Sequence, residues 1–303
     1  MFKYLIHLFK KLLEETDIRK YKRNFYYYIL FRLIRKKLNY DLKVKIYNFY
    51  IYASYKKSKQ SHSILRKCEF DDIKELKLIE KISNEKKILF FDCGANFGFY
   101  SLFVASLKKE NEVYSFEASP NTFLDFKKNI ILNNFQKIKP INLAISDIQD
   151  KQIDFKESQN DWESSILSNN FEVLTTNEIK TTTIDSILES EEKNLPQYNI
   201  VIKLDIEGHE MNAIKGAYNL LKKHSPLIII EFSKFISQED YKLLKRFIQD
   251  YDYGVYDTSF NEISLETVSE RLKELPISMF GIGNNFLIKR NSNYENIIKY
   301  LQN

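Results

Sequence analysis

Apolar and polar positions divide the chain into two parts with different patterns. Apolar residues recur at helical spacing in the segments 5–13 and 27–34, with basic residues between them. From Lys86 onwards, short apolar runs alternate with amphipathic stretches of helical length. The pattern predicts a basic helical N-terminal extension over residues 1–82 and an α/β domain over residues 83–303.

The apolar runs of the second part predict strands, and the stretches between them predict helices. The predicted strands are 88–91, 113–116, 138–144, 200–205, 227–232, 254–256 and 285–288. The predicted helices are 99–107, 120–133, 210–223 and 238–249, with another over 65–82 leading into the domain. This alternation predicts a mostly parallel sheet with helices on both faces. Ligands of such sheets bind beyond the carboxyl ends of the strands, so candidate residues are those that directly follow strands.

Charge separates the same two parts. Residues 1–67 hold 18 Lys and Arg against 4 Asp and Glu, and the remaining residues hold 28 against 37. Most basic helices are solvated faces whose aliphatic stems lie on a core, so the extension is interpreted first as a packing or dimerising cap. Recruitment of substrate, contact with anionic lipid and contact with nucleic acid remain open, with nucleic acid the least favoured.

Cysteine and histidine are scarce, with two Cys and four His. Cys68 and Cys93 form neither a disulfide framework nor a CxxC pair, which argues against a zinc site and indicates a reducing compartment, the cytosol. No apolar stretch has the length of a signal peptide core or a membrane span. We therefore expect a cytoplasmic protein without a structural metal.

The first candidate site is the turn Asp92-Cys93-Gly94-Ala95-Asn96-Phe97-Gly98, which follows the first strand of the domain. Gly94 lets the backbone turn tightly towards a ligand, and Gly98 allows close packing of strand and helix. The helix that follows offers N–H groups to a carboxylate, while Asp92 suits an ammonium group. A ligand with both groups is an amino acid, such as the methionyl end of S-adenosylmethionine (AdoMet).

Two further candidates follow the second and third strands. Glu117, followed by Ala118, is placed to accept hydrogen bonds from two ribose hydroxyls. Ser146 and Asp147 offer acceptors to an adenine amino group.

The fourth candidate is the segment Asp205-Ile206-Glu207-Gly208-His209, at the end of the strand 200–205. Asp205 and Glu207 point to one side if the chain is extended, and His209 titrates near neutral pH. His209 is therefore a candidate general base, with Asp205 or Glu207 orienting the imidazole or the substrate. In a competing interpretation, Asp205 with Glu207 or Glu231 holds a divalent metal that acidifies a hydroxyl. We favour the route without a metal.

These motifs together resemble a known family. The succession FFDCGANFGFYS, SFEASPNTF, TTTIDSIL, IKLDIEGHE and IIIEF is similar to that of the FkbM family of AdoMet-dependent methyltransferases, over roughly residues 86–235. The chain departs from the family by writing EASP where a proline usually follows the glutamate directly, although the carboxylate of Glu117 is kept. Nothing before Lys86 resembles the family.

The resemblance implies a class I methyltransferase fold, Rossmann-like, with a seven-stranded sheet. It implies AdoMet over Gly94–Gly98, with Glu117 at the ribose, Asp147 at the adenine side and Asp205 facing the reactive methyl. The implied reaction is O-methylation of a sugar nucleotide, a surface-polysaccharide sugar or another small metabolite. Two other classes stay open: a nucleotide-cofactor oxidoreductase, disfavoured because GxGxxG is missing, and an AdoMet-binding module without activity.

Overall fold

The computed structural model describes residues 2–55, 59–158, 173–191, 193–233, 236–276 and 281–302. The helices are α1 Phe2–Glu15, α2 Phe25–Ile34, α3 Lys59–Lys67, α4 Ile73–Glu85, α5 Phe99–Leu107, α6 Pro120–Asn133, α7 Ile184–Glu189, α8 Glu210–Lys215, α9 Tyr218–His224, α10 Gln238–Asp250, α11 Leu265–Glu274 and α12 Asn293–Gln302. The strands are β1 Leu42–Ile46, β2 Phe49–Ala53, β3 Ile88–Cys93, β4 Glu112–Phe116, β5 Ile138–Ile141, β6 Ala144–Ile145, β7 Gln152–Ser158, β8 Val173–Thr182, β9 Asn199–Leu204, β10 Leu227–Ser233, β11 Tyr253–Tyr256, β12 Glu262–Ile263 and β13 Gly281–Lys289. No helix of these residues is long and apolar enough to cross a membrane.

The main sheet confirms the predicted mostly parallel α/β fold. Its strand order is β12-β11-β13-β10-β9-β3-β4-β5, and β13 and β12 run antiparallel to their neighbours. The sheet of the described residues has eight strands rather than the predicted seven, because the two-residue β12 adds an edge. The predicted strand 138–144 is divided into β5 and β6, and β6 leaves the main sheet to pair with β8.

Successive side chains of β3 point to opposite faces of the sheet, so alternate residues pack into two different apolar clusters. Ile88 and Phe90 pack with residues of α4, α5 and α12, whereas Leu89 and Phe91 pack with residues of α8 and α9. The sheet is therefore covered by helices on both faces, and its strand ends are left open for a ligand.

The N-terminal segment is not purely helical, which corrects the prediction of a helical extension. Between α2 and α3, β1 and β2 form an antiparallel hairpin in which Ile46 faces Phe49 across a two-residue turn. Alternation in LKVKI and FYIYA places one side of the hairpin in the core. This alternation was missed in the sequence because it covers only five residues in each strand and lies between longer segments with helical spacing.

The hairpin is also joined to the α/β part. The backbone N–H groups of Tyr50 and Tyr52 donate to the side-chain oxygens of Asn133 (2.6 Å) and Asn129 (2.8 Å) on α6. The Phe49 ring packs edge-on against Phe99 in the first turn of α5, with ring centroids 5.4 Å apart. Both parts share one apolar cluster, and the predicted boundary between residues 82 and 83 falls inside α4.

Phe49→Ala tests whether the hairpin is part of the core. Phe49 is 1% exposed, so the truncation should lower the free energy of unfolding by about 3–5 kcal/mol. The matched control is Tyr4→Ala, because Tyr4 is 69% exposed and its loss should change stability little. Urea unfolding followed by circular dichroism measures both. Equal, small effects would mean that the hairpin is a separable appendage.

Two predicted helices are interrupted. The helix predicted over 65–82 is divided into α3 and α4 at Cys68, whose φ of 57° does not continue a helix. The helix predicted over 210–223 is divided into α8 and α9 at Gly216. A Cβ at Gly216 would lie 2.0 Å from the Ser146 carbonyl oxygen, so glycine is needed where this break meets the loop after β6.

Candidate active site

One cavity lies at the carboxyl ends of β3, β4 and β9, where the topology places the predicted motifs. Its volume is about 950 Å³ with its open mouth included. Of the predicted site residues, those that line it are Asp92, Gly94, Ala95, Asn96, Glu117, Ala118, Asp205, Glu207 and His209. Three strand-end motifs that are distant in sequence thus share one cavity.

Asp92 ends β3 with its carboxylate turned towards α5. Its Oδ2 accepts hydrogen bonds from the backbone N–H (3.1 Å) and the hydroxyl (2.5 Å) of Ser101, which fastens the first turns of α5 to the strand. Burial raises the pKa of Asp92, and Lys203 and the Ser101 bonds oppose that rise. Asp92 therefore shapes the turn as well as lining the cavity.

Gly94 and Gly98 have positive φ, and their missing side chains make room for other parts of the protein. A Cβ at Gly94 would lie 2.0 Å from the Asp205 carbonyl oxygen, and one at Gly98 would lie 2.1 Å from the Phe126 ring. Gly98 does not line the cavity, whereas Gly94 does. Glycine at position 94 thus allows two neighbouring strand ends to approach closely, and its approach to a ligand stays a prediction.

Gly94→Ala should therefore destabilise the fold itself, by about 2–4 kcal/mol, from left-handed strain and the clash with Asp205. The control is Gly283→Ala, because Gly283 has a similar φ of 76° but no atom within 4 Å of an added Cβ. The control should lose about 1–2 kcal/mol of stability, because alanine is strained in the left-handed region but meets no other atom there. Thermal unfolding measures the stability of both variants. If Gly94→Ala loses no more stability than Gly283→Ala, the close contact between residue 94 and the Asp205 carbonyl is refuted.

Glu117 follows β4 and is held in one orientation at the edge of the cavity. Its Oε2 accepts the backbone N–H of Asn96 (2.8 Å), and its Oε1 accepts the backbone N–H of Ser119 (2.9 Å). It is 8% exposed. A carboxylate has several acceptor sites, which suits a diol such as the ribose hydroxyls.

The third motif lies beside the cavity. Ser146 and Asp147 are not among the residues that line it, and Asp147 is exposed. The Ser146 hydroxyl donates to Asp147 (3.0 Å). The preceding residues Leu143, Ala144 and Ile145 line the cavity and give it an apolar wall. The adenine contact of Ser146 and Asp147 stays a prediction.

Asp205 directly follows β9 and lies beside a buried lysine. The Lys203 ammonium donates to Asp205 Oδ2 (2.7 Å) and lies 4.8 Å from the centre of the Tyr100 ring. Burial alone would lower the pKa of Lys203, but the carboxylates of Asp205 and Asp92 raise it. Burial alone would raise the pKa of Asp205, but Lys203 lowers it. Asp205 is therefore a charged acceptor with a fixed partner.

Glu207 and Glu231 bring two more carboxyl groups to Asp205. One oxygen of each lies within 4.8 Å of the others, which is the spacing of a potential cation site. Burial, followed by repulsion from Asp205, raises the pKa of Glu231, whose protonated carboxyl hydrogen-bonds to Asp205. The cluster can therefore share a proton or hold a divalent cation.

His209 lies at the start of α8 and lines the cavity. Asn212 Nδ2 lies 3.0 Å from its Nε2 and 3.4 Å from its Nδ1, and the Ser146 hydroxyl oxygen is 3.3 Å from Nε2. Its predicted partners, Asp205 and Glu207, are thus replaced by Asn212 and Ser146. Burial lowers the pKa of His209, so the ring is neutral at neutral pH and can accept a proton.

The family model of the methyltransferase FkbM domain matches residues 92–255, which is more than half of the chain. The chain belongs to the FkbM methyltransferase family. It carries the methyltransferase domain of that family, and the resemblance found in its motifs is confirmed. No curated protein matches it.

Several solved structures are similar to this FkbM-family chain at low identity. The methyltransferase FkbM from Methylobacillus flagellatus KT is 15% identical, with 94% of this chain and 58% of that one covered and a TM-score of 0.39. The chain thus spans little more than half of that relative. M. jannaschii TYW2 in complex with AdoMet is 16% identical, with coverage of 83% and 87% and a TM-score of 0.43. P. horikoshii TYW2 in complex with MeSAdo is 12% identical, with coverage of 96% and 100% and a TM-score of 0.45.

Several cavity residues of this FkbM methyltransferase were not assigned from its sequence. They are Gln60, Phe70, Asp72, Tyr100 and Lys203. The Tyr100 hydroxyl donates to Asp72 (2.8 Å), and the Phe70 ring stacks on Phe99 at 3.7 Å. In the sequence, only Lys203 could have been recognised as one of these residues, because it interrupts the apolar run 200–204. A lysine in a strand that is buried on both faces has no contact with solvent, so it needs a charged partner inside the protein.

The buried carboxyl groups give the FkbM-family chain a pH-dependent stability. Burial, followed by the nearby Asp72, raises the pKa of Glu75 from 4.5 to about 7. The folded state thus binds a proton that the unfolded state loses, and stability falls as pH rises from about 4.5 to about 7. In Glu75→Gln, which has no carboxyl at this position, the free energy of unfolding should fall by on the order of 3 kcal/mol less over this pH range. Urea unfolding across this range checks it, and a variant with the wild-type slope would contradict it.

Proposed function

We propose that the enzyme transfers a methyl group to a hydroxyl oxygen of a carbohydrate, such as a sugar nucleotide or a surface-polysaccharide sugar. The observation that carries this proposal is the grouping of Asp205, Glu207 and His209 on one side of the cavity. Carboxylates accept hydrogen bonds from several hydroxyls at once, and a neutral imidazole accepts the proton of one of them. This set suits a polyhydroxylated acceptor.

The other side of the cavity fits AdoMet. Glu117 offers two oriented oxygens to the ribose hydroxyls, and Asp92 and the N-terminus of α5 suit the ammonium and carboxylate of the methionyl end. Ala118, Ile145 and Phe155 form an apolar wall for the adenine. When bound, AdoMet supplies a methyl group already activated as a sulfonium.

The enzyme's own residues then have two tasks. Holding the hydroxyl in line with the methyl carbon contributes up to ~7–11 kcal/mol, and the Asp205 carboxylate, fixed by Lys203, is placed to orient it. Accepting the hydroxyl proton at His209 Nε2 contributes a further ~10²–10⁴-fold. Asn212 Nδ2, which lies 3.0 Å from Nε2, holds the ring at the cavity and must give way to the substrate hydroxyl when the proton is transferred.

A screen of acceptors tests the proposal. The enzyme and AdoMet are incubated with sugar nucleotides, free sugars, hydroxylated metabolites that are not sugars, and amines, and the products are weighed by mass spectrometry. We expect a gain of one methylene mass in a sugar-containing acceptor. Gain only in a hydroxylated metabolite of another class would support the alternative substrate. AdoMet binding without any product would indicate a non-catalytic module.

A further inference from the structure

Helix α2 is apolar on almost every side. Its sequence is FYYYILFRLI, with Arg32 as its single charged residue. Tyr27, Phe31 and Ile34 are buried and hold the helix on the core. A helix that is apolar all round is normally covered on all sides, so the outer face of α2 requires a partner.

The outer face is large and aromatic. Its exposed members, with exposures of 39–82%, are Phe25, Tyr26, Tyr28, Ile29 and Leu33. Phe25, Ile29 and Leu33 stand four residues apart, so they form one stripe along the helix. We call these five residues the α2 patch.

Positive charge surrounds the α2 patch. Residues 18–40 contain eight Lys and Arg and no Asp or Glu. Beside the first turn of the helix, Arg23, Arg66 and Lys67 line a groove together with Tyr28. Within the described part of the chain, neither Arg23 nor Arg66 forms an ion pair. The partner of the patch is therefore both apolar and negatively charged.

We propose that the α2 patch docks the enzyme on the surface of an anionic lipid bilayer. Phe, Tyr, Ile and Leu side chains enter the boundary between headgroups and acyl chains, while Lys and Arg contact lipid phosphates. A nucleic acid would satisfy the charges but would leave Ile29 and Leu33 without a favourable environment. A second copy would bring two positively charged segments together, which is unfavourable even though Arg19 and Lys22 are paired with Asp17 and Glu69.

Helix α2 lies next to α3, and α3 contributes a residue to the cavity. The Tyr27 hydroxyl donates to the Leu65 carbonyl oxygen of α3 (2.7 Å), and Gln60 of the same helix lines the cavity. Docking would therefore bring a bilayer surface close to the acceptor side. Because α2 itself lines no part of the cavity, docking can be removed without changing AdoMet binding.

Vesicle flotation of the full-length protein tests the proposal. Vesicles of phosphatidylcholine alone are compared with vesicles that also contain phosphatidylglycerol, at low and high salt. We expect flotation with the anionic vesicles only, weakened by salt. The double variant Phe25→Ser, Leu33→Ser should partition at least ~10-fold less, with unchanged AdoMet affinity. The matched control is Leu124→Ser, Ile131→Ser on α6, where the side chains are 55% and 76% exposed, and it should float like the wild type.

Three results would overturn the proposal. The wild type fails to float with anionic vesicles, or both double variants float equally well. Alternatively, the α2 variant loses self-association in analytical ultracentrifugation or loses binding to single-stranded RNA, while its flotation is unchanged. The AdoMet titration is separate from all three, so failure of docking leaves the proposed reaction standing.

Discussion

Replacing His209 with alanine is expected to reduce turnover by ~10²–10⁴-fold while AdoMet affinity stays within about twofold of the wild type. A sugar hydroxyl is a very weak acid, so its proton must leave as the bond from oxygen to carbon forms. His209 lines the cavity, burial lowers its pKa, and Asn212 holds the ring in place. Turnover should therefore fall on acidification only below the ordinary histidine pKa of 6.5.

The control for this variant is His224→Ala, because His224 ends α9 and lines no part of the cavity. It should keep wild-type turnover. The competing account assigns the chemistry to a divalent cation on Asp205, Glu207 and Glu231. That account would be established if EDTA abolished turnover, magnesium or manganese restored it, and His209→Ala remained near wild type.

Replacing Glu117 with alanine is expected to weaken AdoMet binding by tenfold or more. Two hydrogen bonds from the ribose to a carboxylate are lost, each worth ~1.5–3 kcal/mol. Glu117→Gln should lose less AdoMet affinity than Glu117→Ala, because the amide oxygen still accepts one hydrogen bond. Isothermal titration calorimetry measures the affinities, and a thermal melt of each variant confirms that the protein is folded.

The control for Glu117 is Glu112→Gln at the opposite end of the same strand. Glu112 forms ion pairs with Lys193 and Lys137 and lies away from the cavity. Its loss should leave AdoMet affinity unchanged. If Glu117→Ala binds AdoMet as tightly as Glu112→Gln does, the ribose is held elsewhere.

The sequence predicted the elements whose signals are local. Helices α5 and α6 have the predicted ends, because Gly98 stops regular structure before one and Ser119-Pro120 starts the other. The motifs after β3, β4 and β9 meet in one cavity because parallel strands end at one edge of the sheet. This reasoning needs only the order of strands and turns.

Other features depend on contacts between distant segments and were wrong or missing in the prediction. The hairpin β1–β2 is fixed by Asn129 and Asn133 on α6, far along the chain. Gly94 is required by the Asp205 carbonyl, which no local pattern reveals. Asp72 joins the cavity because the predicted helix 65–82 is broken just before it. A one-dimensional pattern does not contain these pairings.

The position of the transferred methyl group tests the account most directly. The enzyme is given AdoMet labelled with carbon-13 at the methyl group, together with the best acceptor from the screen, and the product is examined by NMR. We predict a labelled methyl carbon bonded to oxygen and coupled to a proton of a sugar ring carbon, formed ~10²–10⁴-fold more slowly when His209→Ala replaces the wild type. A labelled methyl on nitrogen or carbon, or on an acceptor without a sugar, would contradict the account.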